Sequence, residues 1–253
     1  MKTILNDFLL MIQFFTRIPV NLELKCEKSN FKRAAFFLPI VGILIGGIQF
    51  LVSIIFKGYI PIRVNVVIVL SLGIIITGAL HLDGFADVFD GFFSLKDKLK
   101  IIEVMKDSRV GTFGAAAIIL NLFLKLEGLS YLFKYDFYFP LILIPMLGKN
   151  SILFLCLSNK TAKKNGSGNI FIGNMSKILV ILSTAISIII CTYFIGIIKA
   201  ISLIGIILIA MYFYYLLCVK KIDGFTGDTL GAANEITELV VIIALCVMVK
   251  LAV

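Results

Sequence analysis

The stretch Ala34–Phe56, AAFFLPIVGILIGGIQFLVSIIF, carries no charged side chain from end to end. A helix rises about 1.5 Å per residue and the hydrocarbon of a bilayer is about 30 Å thick, so roughly 20 apolar residues make one crossing. This stretch meets that length, and Val64–Leu82, Ile178–Ile198 and Ala200–Val219 are of the same kind. Gly111–Phe133 is interrupted by Lys125 and Glu127, Phe137–Leu157 carries Lys149, and Leu239–Val253 is short with Lys250 near its end. About seven crossings follow. The expected fold is an all-α, polytopic bundle of transmembrane helices, one integral membrane domain over residues 1–253.

Composition agrees with that reading. Hydrophobic residues make up 60% of the chain and charged residues only 15%, where a soluble domain carries about a quarter charged. The segments between spans reach about 30 residues at most, too short for an independent core. The first 33 residues lack a compact apolar run followed by a small-residue cleavage site, so they do not read as a signal peptide. Met1–Ile18 reads as an amphipathic helix lying in the interface, with Ile4, Phe8, Met11, Ile12 and Phe15 on one face. The competing reading is a further span. The five cysteines form no CxxC and no Cys/His cluster, so they suggest no zinc site and read as small buried hydrophobes.

The net charge of +9 has a simpler cause than nucleic acid, which is not an expected partner. Cytoplasmic loops collect Lys and Arg. Residues 1–33 hold six basic residues, 83–110 five and 158–177 four, whereas 57–63 and 125–136 hold two each. Rich and poor segments alternate, which sets the N-terminus, 83–110, 158–177 and 220–238 on the cytoplasmic side of a cell membrane.

Two acidic motifs fall on that side. In His81-Leu-Asp83-Gly-Phe-Ala-Asp87-Val-Phe-Asp90-Gly91, the carboxylates are spaced i, i+4 and i+7. On a helix they share one face, opposite Phe85, Val88 and Phe92, and the helix is expected to continue the second span. Three carboxylates on one face repel unless a cation sits among them. Mg²⁺, a hard ion that takes a few carboxylates plus waters and phosphates, is the expected one, with Asp83, Asp87 and Asp90 as its ligands. An EF-hand is excluded by the spacing. His81, the single histidine, reads as a general base, a ligand, or a polar residue at a helix end.

In Lys106-Asp107-Ser108-Arg109-Val-Gly111-Thr-Phe-Gly114, Arg offers a planar fork and Lys a point charge for phosphate oxygens, close to a helix N-terminus where anions are favoured. In Gly224-Phe-Thr-Gly227-Asp228-Thr-Leu-Gly231-Ala-Ala-Asn234-Glu235, Asp228 and Glu235 share a helical face that small residues leave open. This reads as a surface leading into the last span. Lys149-Asn150 adds a charge within an apolar segment, a costly placement that often marks function. The loop from Lys160 to Gly168 is basic and suits anions or anionic lipid heads alike.

Together these motifs resemble the cobalamin synthase (adenosylcobinamide-GDP ribazoletransferase) family. The resemblance rests on FFTRIP at Phe14–Pro19, LPIVGILIG at Leu38–Gly46, TGALHLDGFADVFDG at Thr77–Gly91, MKDSRVGTFG at Met105–Gly114 and GFTGDTLGAANEITE at Gly224–Glu238. It implies a Mg²⁺-dependent transfer in which α-ribazole or its 5′-phosphate attacks adenosylcobinamide-GDP and GMP leaves. With that chemistry the residues read as follows: Asp228, Glu235 and His81 are catalytic candidates, the two acids to complete the metal site or position the ribazole hydroxyl, and Lys106, Asp107, Ser108, Arg109, Lys149 and Asn234 are candidates for the substrate phosphates. No site residue is carried over from residues 160–170, where TAKKNGSGN departs from the family pattern. The nearest rival, the CDP-alcohol phosphotransferases, needs an Arg after Ala86 and a second Asp pair that this chain lacks. A transporter would hold its charges at mid-membrane, whereas most acids here cluster at one surface.

Overall fold

The computed structural model describes residues 2–163 and 166–251. Its helices are α1 Lys2–Phe15, α2 Lys28–Ala34, α3 Leu38–Phe56, α4 Ile62–Thr77, α5 Leu80–Phe92, α6 Lys98–Val104, α7 Thr112–Lys134, α8 Pro140–Cys156, α9 Lys177–Ile195, α10 Ile197–Ile222 and α11 Gly227–Lys250. The described residues contain no β-strand, only an isolated parallel bridge between Thr161 and Phe225. A short 3₁₀ turn joins α2 to α3, so Lys28–Phe56 forms one helix of 29 residues. That helix, α7, α9, α10 and α11 are long and apolar enough to cross a membrane, and α4 with α5 makes a sixth if the bent pair counts as one span. Each of the seven stretches read from hydropathy is helical over most of its described residues.

α8, only 17 residues long, lies at the centre, with nearly every residue buried. It packs on α3 through two glycines one turn apart. A Cβ on Gly42 would lie 2.4 Å from the Pro145 carbonyl oxygen, and one on Gly46 would lie 2.2 Å from that of Leu141. Small residues at this spacing let two backbones touch, which is how helices gain contact where lipid offers no hydrophobic drive. The outward faces of α9 and α10 stay apolar and exposed, for example at Ile189, Tyr193, Ile201 and Phe213. Cys156, Cys191 and Cys218 are buried, as expected of small hydrophobes, whereas Cys246 is partly buried and Cys26 is exposed, against that expectation.

Two expectations change and a third is refined. The acidic helix does not continue the second span. α4 ends at Thr77, Gly78 and Ala79 both take left-handed backbone angles (φ 60° and 59°), and α5 leaves at 90°. Two successive left-handed residues cannot extend a right-handed helix. A Cβ at Gly78 would also lie 2.2 Å from Arg17 Nε, so the turn is packed as well as bent. Secondly, the last span is not a short segment preceded by a surface motif. α11 runs unbroken from Gly227, started by Thr226, whose hydroxyl accepts from the Thr229 N–H (3.3 Å) while the Thr226 N–H donates to the Thr229 hydroxyl (2.8 Å). Residues 252 and 253 of the expected span lie outside the described residues, as do Lys164 and Asn165 of the basic loop. Thirdly, α1 is too short to cross a bilayer, and its apolar face divides. Met11, Ile12 and Phe15 are buried in the protein, whereas Ile4 remains 65% exposed.

The chain reverses between successive long helices, so the α4–α5 bend, α6, residues 157–163 and 166–176, and residues 223–226 gather at one end of the bundle. Lys98 pairs with Asp223, and Lys221 Nζ donates to the Phe92 carbonyl (2.6 Å) across this end. Lys57 pairs with Asp136 (2.9 Å) at the other.

Candidate active site

α5 and α11 cross in direct backbone contact. A Cβ on Gly84 would lie 2.8 Å from the Asp228 carbonyl oxygen, and one on Gly231 would lie 3.2 Å from the His81 Cα. The crossing sets Asp228, in the first turn of α11, beside the acidic face of α5. Phe85, Val88 and Phe92 are buried behind that face, Asp83 is exposed and Asp87 half-buried. Among the described residues, the carboxylates of Asp83 and Asp87 make no hydrogen bond and no ion pair.

Asp87 shows the consequence. Partial burial, then the negative charges of Asp83 and Asp228, push its carboxyl up to about 7, with Asp90 adding a smaller push. Lys163 opposes this shift. α5 turns 90° away from α4, and Asp83 on this face is exposed. The patch is therefore short of positive charge, and a like-charge cluster of this kind is what an acid feels when its counter-ion is missing.

Asp90 has a different environment. Its two carboxylate oxygens accept from the backbone N–H groups of Gly111 (2.7 Å) and Gly114 (2.8 Å). It thus caps the N-terminus of α7 and ties the Lys106–Arg109 loop to α5. In that loop Lys106, Asp107, Ser108 and Arg109 are all exposed. Arg109 binds Asp107 through its side chain (2.7 and 3.0 Å) and its backbone N–H (3.0 Å), which holds the Asp107 carboxyl down at about 2.

Glu235 does not join the acidic patch. It lies two turns further along α11 and accepts from Asn121 Nδ2 and Lys125 Nζ, both at 2.7 Å. Lys125 also binds Glu238, which accepts from Asn234 Nδ2 (2.8 Å). Lys149, 1% exposed, faces the same cavity of about 70 Å³. Asn150 is turned elsewhere and donates weakly to Thr184 (3.4 Å). The structure thus divides the expected site into an outer acidic face and an inner polar network. His81 stands between them. It is buried, stacks on Phe15 at 5.9 Å, and lines both the inner cavity and an outer one of about 120 Å³ beside Asp83 and Asp228. Its Nε2 has no hydrogen-bond partner among the described residues.

Sequence reasoning passed over Lys163. Its Nζ donates to Asp228 Oδ2 (3.1 Å), which also accepts from the Thr226 hydroxyl (3.1 Å). The loop that carries it is held against α11 by the Ala162 N–H to the Phe225 carbonyl and the Phe225 N–H to the Lys160 carbonyl, each 2.9 Å. The basic character of the loop was the available signal. The role of Glu238 was signalled by its position three residues after Glu235, on the same face as the charge that Lys125 brings.

Among the described residues no three His, Cys, Asp or Glu side chains converge tightly enough to enclose a cation unaided. Mg²⁺ does not require that. It binds through one or two carboxylates and completes its shell with waters and substrate phosphates. An open, underneutralised pair of carboxylates with a third opposite fits such an ion.

Fold and site together define a polytopic helical membrane protein with a carboxylate-lined site at one end of its bundle. The chain belongs to the family described as cobalamin-5-phosphate synthase, whose sequence model matches residues 7–246. It is 55% identical to an adenosylcobinamide-GDP ribazoletransferase of Clostridium botulinum, over 98% of this chain and the whole of that one. It is 44% identical to the protein of that name in Clostridium tetani (94% and 95% covered) and 41% to that in Clostridium kluyveri (98% and 99%). No solved structure matches the chain.

Proposed function

We propose that the protein is an adenosylcobinamide-GDP ribazoletransferase acting in cobalamin biosynthesis, and that the outer acidic face is its active site. The observation that carries the site is the meeting of Asp83 and Asp87 with Asp228 across the glycine crossing of α5 and α11, with too little positive charge to balance them. In the reaction, the 3′-hydroxyl oxygen of α-ribazole, or of its 5′-phosphate, forms a bond to the phosphorus next to the cobinamide. The bond from that phosphorus to GMP breaks, GMP leaves, and the hydroxyl proton is lost.

Asp83, Asp87 and Asp228 would hold Mg²⁺. When bound, that ion supplies charge neutralisation and alignment for displacement at a diphosphate. Lys106 and Arg109, exposed on the loop that Asp90 ties down, would bind phosphate oxygens, Arg109 on leaving Asp107. Asp90 spends its oxygens on α7, so its part is to position that loop. His81 touches the outer cavity from below and is the candidate to accept the hydroxyl proton. Glu235, Asn234 and Lys149 hold the bundle beneath the site; their cavity has room for water and none for a nucleotide. The end of the bundle that carries the site also carries the lysine-rich loops and therefore faces the cytoplasm. The apolar outer faces of α9 and α10 meet lipid.

Purified protein supplied with adenosylcobinamide-GDP, α-ribazole and Mg²⁺ should form cobalamin and GMP, and EDTA should stop it. Failure of folded protein to turn over refutes the activity. Turnover that survives EDTA refutes the metal.

A further inference from the structure

We propose that Lys163 is an exchangeable counter-ion: its ammonium holds Asp228 while the site lacks a divalent cation, and moves to an oxygen of the substrate diphosphate once that cation binds. This rests on the reading of the acidic face as the cation site. Lys163 Nζ lies 3.1 Å from Asp228 Oδ2, with the lysine side chain 15% exposed and the aspartate 28%. The pair is thus at the lip of the patch, neither sealed in nor free in water. Among the described residues Lys163 is the cation that acts on Asp87, against the charges of Asp83, Asp90 and Asp228.

The backbone around Lys163 is fixed from both sides. The neighbouring Ala162 N–H donates to the Phe225 carbonyl (2.9 Å), and Asn169 Nδ2 donates to the carbonyl of Lys163 itself (2.9 Å). Gly168 presses against Gly227, where a Cβ would lie 2.6 Å from the backbone nitrogen. What can move is the flexible four-carbon stem, and an ammonium on such a stem binds phosphate as a point charge without fixed geometry. Asp228 does not need the lysine to stay in place, because the Thr226 hydroxyl binds the same oxygen and the N-terminus of α11 favours a carboxylate.

The exchange follows from charge. Without a cation the patch is negative and attracts Lys163. A divalent ion among Asp83, Asp87 and Asp228 would cancel most of that charge and compete for the Asp228 oxygen that Lys163 holds, so the lysine would be held less firmly. The diphosphate that arrives with its own negative charge then gives the ammonium a new partner, one reach away from the old.

The two halves of the exchange have opposite signatures. With Mn²⁺ as a spectroscopic probe and no organic substrate, Lys163→Gln should bind the ion about tenfold more tightly, because a competing cation is gone. In turnover with Mg²⁺, the same variant should show a KM for adenosylcobinamide-GDP raised about tenfold with a smaller change in kcat, because a charge-assisted phosphate contact is lost. Lys163→Arg should restore the KM. A structural lysine would weaken both. In the unaltered protein, amine-reactive labelling of Lys163 read by mass spectrometry should rise on adding Mn²⁺ alone and fall when adenosylcobinamide-GDP follows, a measurement that needs no variant to fold. Mn²⁺ that binds the unaltered protein but with unchanged or weaker affinity in the Gln variant, or labelling indifferent to Mn²⁺, overturns the exchange and leaves the site standing. Absence of Mn²⁺ binding to the unaltered protein removes the site and the exchange together.

Discussion

The outer acidic face and the inner polar network use the same residue types to opposite ends. In the inner network two carboxylates, Glu235 and Glu238, are matched by Lys125, which touches both, and by Lys149 across the cavity. Asn121 and Asn234 take up further oxygens. In the outer face, among the described residues, Lys163 pairs with Asp228 and is the cation that acts on Asp87, Asp83 has no ion pair, and Asp87 resists ionisation. The inner charges are buried and compensated, so they hold the bundle together. The outer charges are only partly buried and are undercompensated, the condition in which a bound cation would be favoured. Stored repulsion of this sort is a cost that a binding site bears and a structural network does not.

The sharpest way to break this contrast is Asp87→Asn. Turnover should fall by about a thousandfold or more, the scale expected when electrostatic stabilisation of the reacting group is lost. Yet the metal-free variant should melt at a higher temperature than the unaltered protein. The sign comes from the carboxyl itself. Its folded value, about 7, lies above the ordinary 3.8, so ionising it opposes folding. The contribution is most favourable below about 4 and is lost as pH rises through about 7. Metal-free protein should accordingly lose thermal stability between about pH 4 and pH 7, and the Asn variant should lose less. A destabilised Asn variant would mean that Asp87 is structural.

Lys125→Met tests the other side. It leaves two buried carboxylates without their shared cation, and breaking a buried pair from one side costs about 3–5 kcal/mol. Denaturation in detergent should show that loss, and the double variant Lys125→Met/Glu235→Gln should recover part of it. If Lys125→Met melts normally but is inactive, the inner network belongs to the chemistry.

Gly84→Ala probes the joint between the regions. Its Cβ has backbone on the far side, at 2.8 Å from the Asp228 carbonyl oxygen, so α11 must shift. A misplacement of that order near reacting groups costs about a hundredfold in kcat/KM, with the fold retained. Activity at the original level would show that the crossing does not set the site.

Asp90→Asn should have the smallest effect. The amide still accepts through one oxygen, so the cap on α7 weakens by about 1 kcal/mol and turnover drops modestly. If this variant is as inactive as Asp87→Asn, Asp90 is a metal ligand after all.

Much of this was legible in the chain. Asp83, Asp87 and Asp90 do lie on one helix with Phe85, Val88 and Phe92 buried behind them, because spacing along a helix is a local property. Seven apolar stretches announced seven helices for the same reason. The expectation that Asp83, Asp87 and Asp90 face both Asp228 and Glu235 across one site was only half met. Seven residues on a helix return to the same face but about 10 Å further along the axis. Depth depends on where α11 begins relative to α5, which no spacing within either segment reports. Asp90 was indistinguishable from its neighbours by sequence, since the donors that occupy it come from Gly111 and Gly114 on another helix.

Hydropathy, charge alternation and helical period by themselves determined a helical membrane protein, the end of the bundle on which its acidic motifs lie, and which side chains share a face. Each of these follows from interactions between near neighbours or between a segment and its solvent. Only the tertiary structure decided that α5 turns 90° away from α4, that two glycines bring Asp228 against Asp83 and Asp87, and that Glu235 answers to Lys125 instead. Those depend on backbones meeting from distant parts of the chain, where an ångström of approach settles which charges become partners.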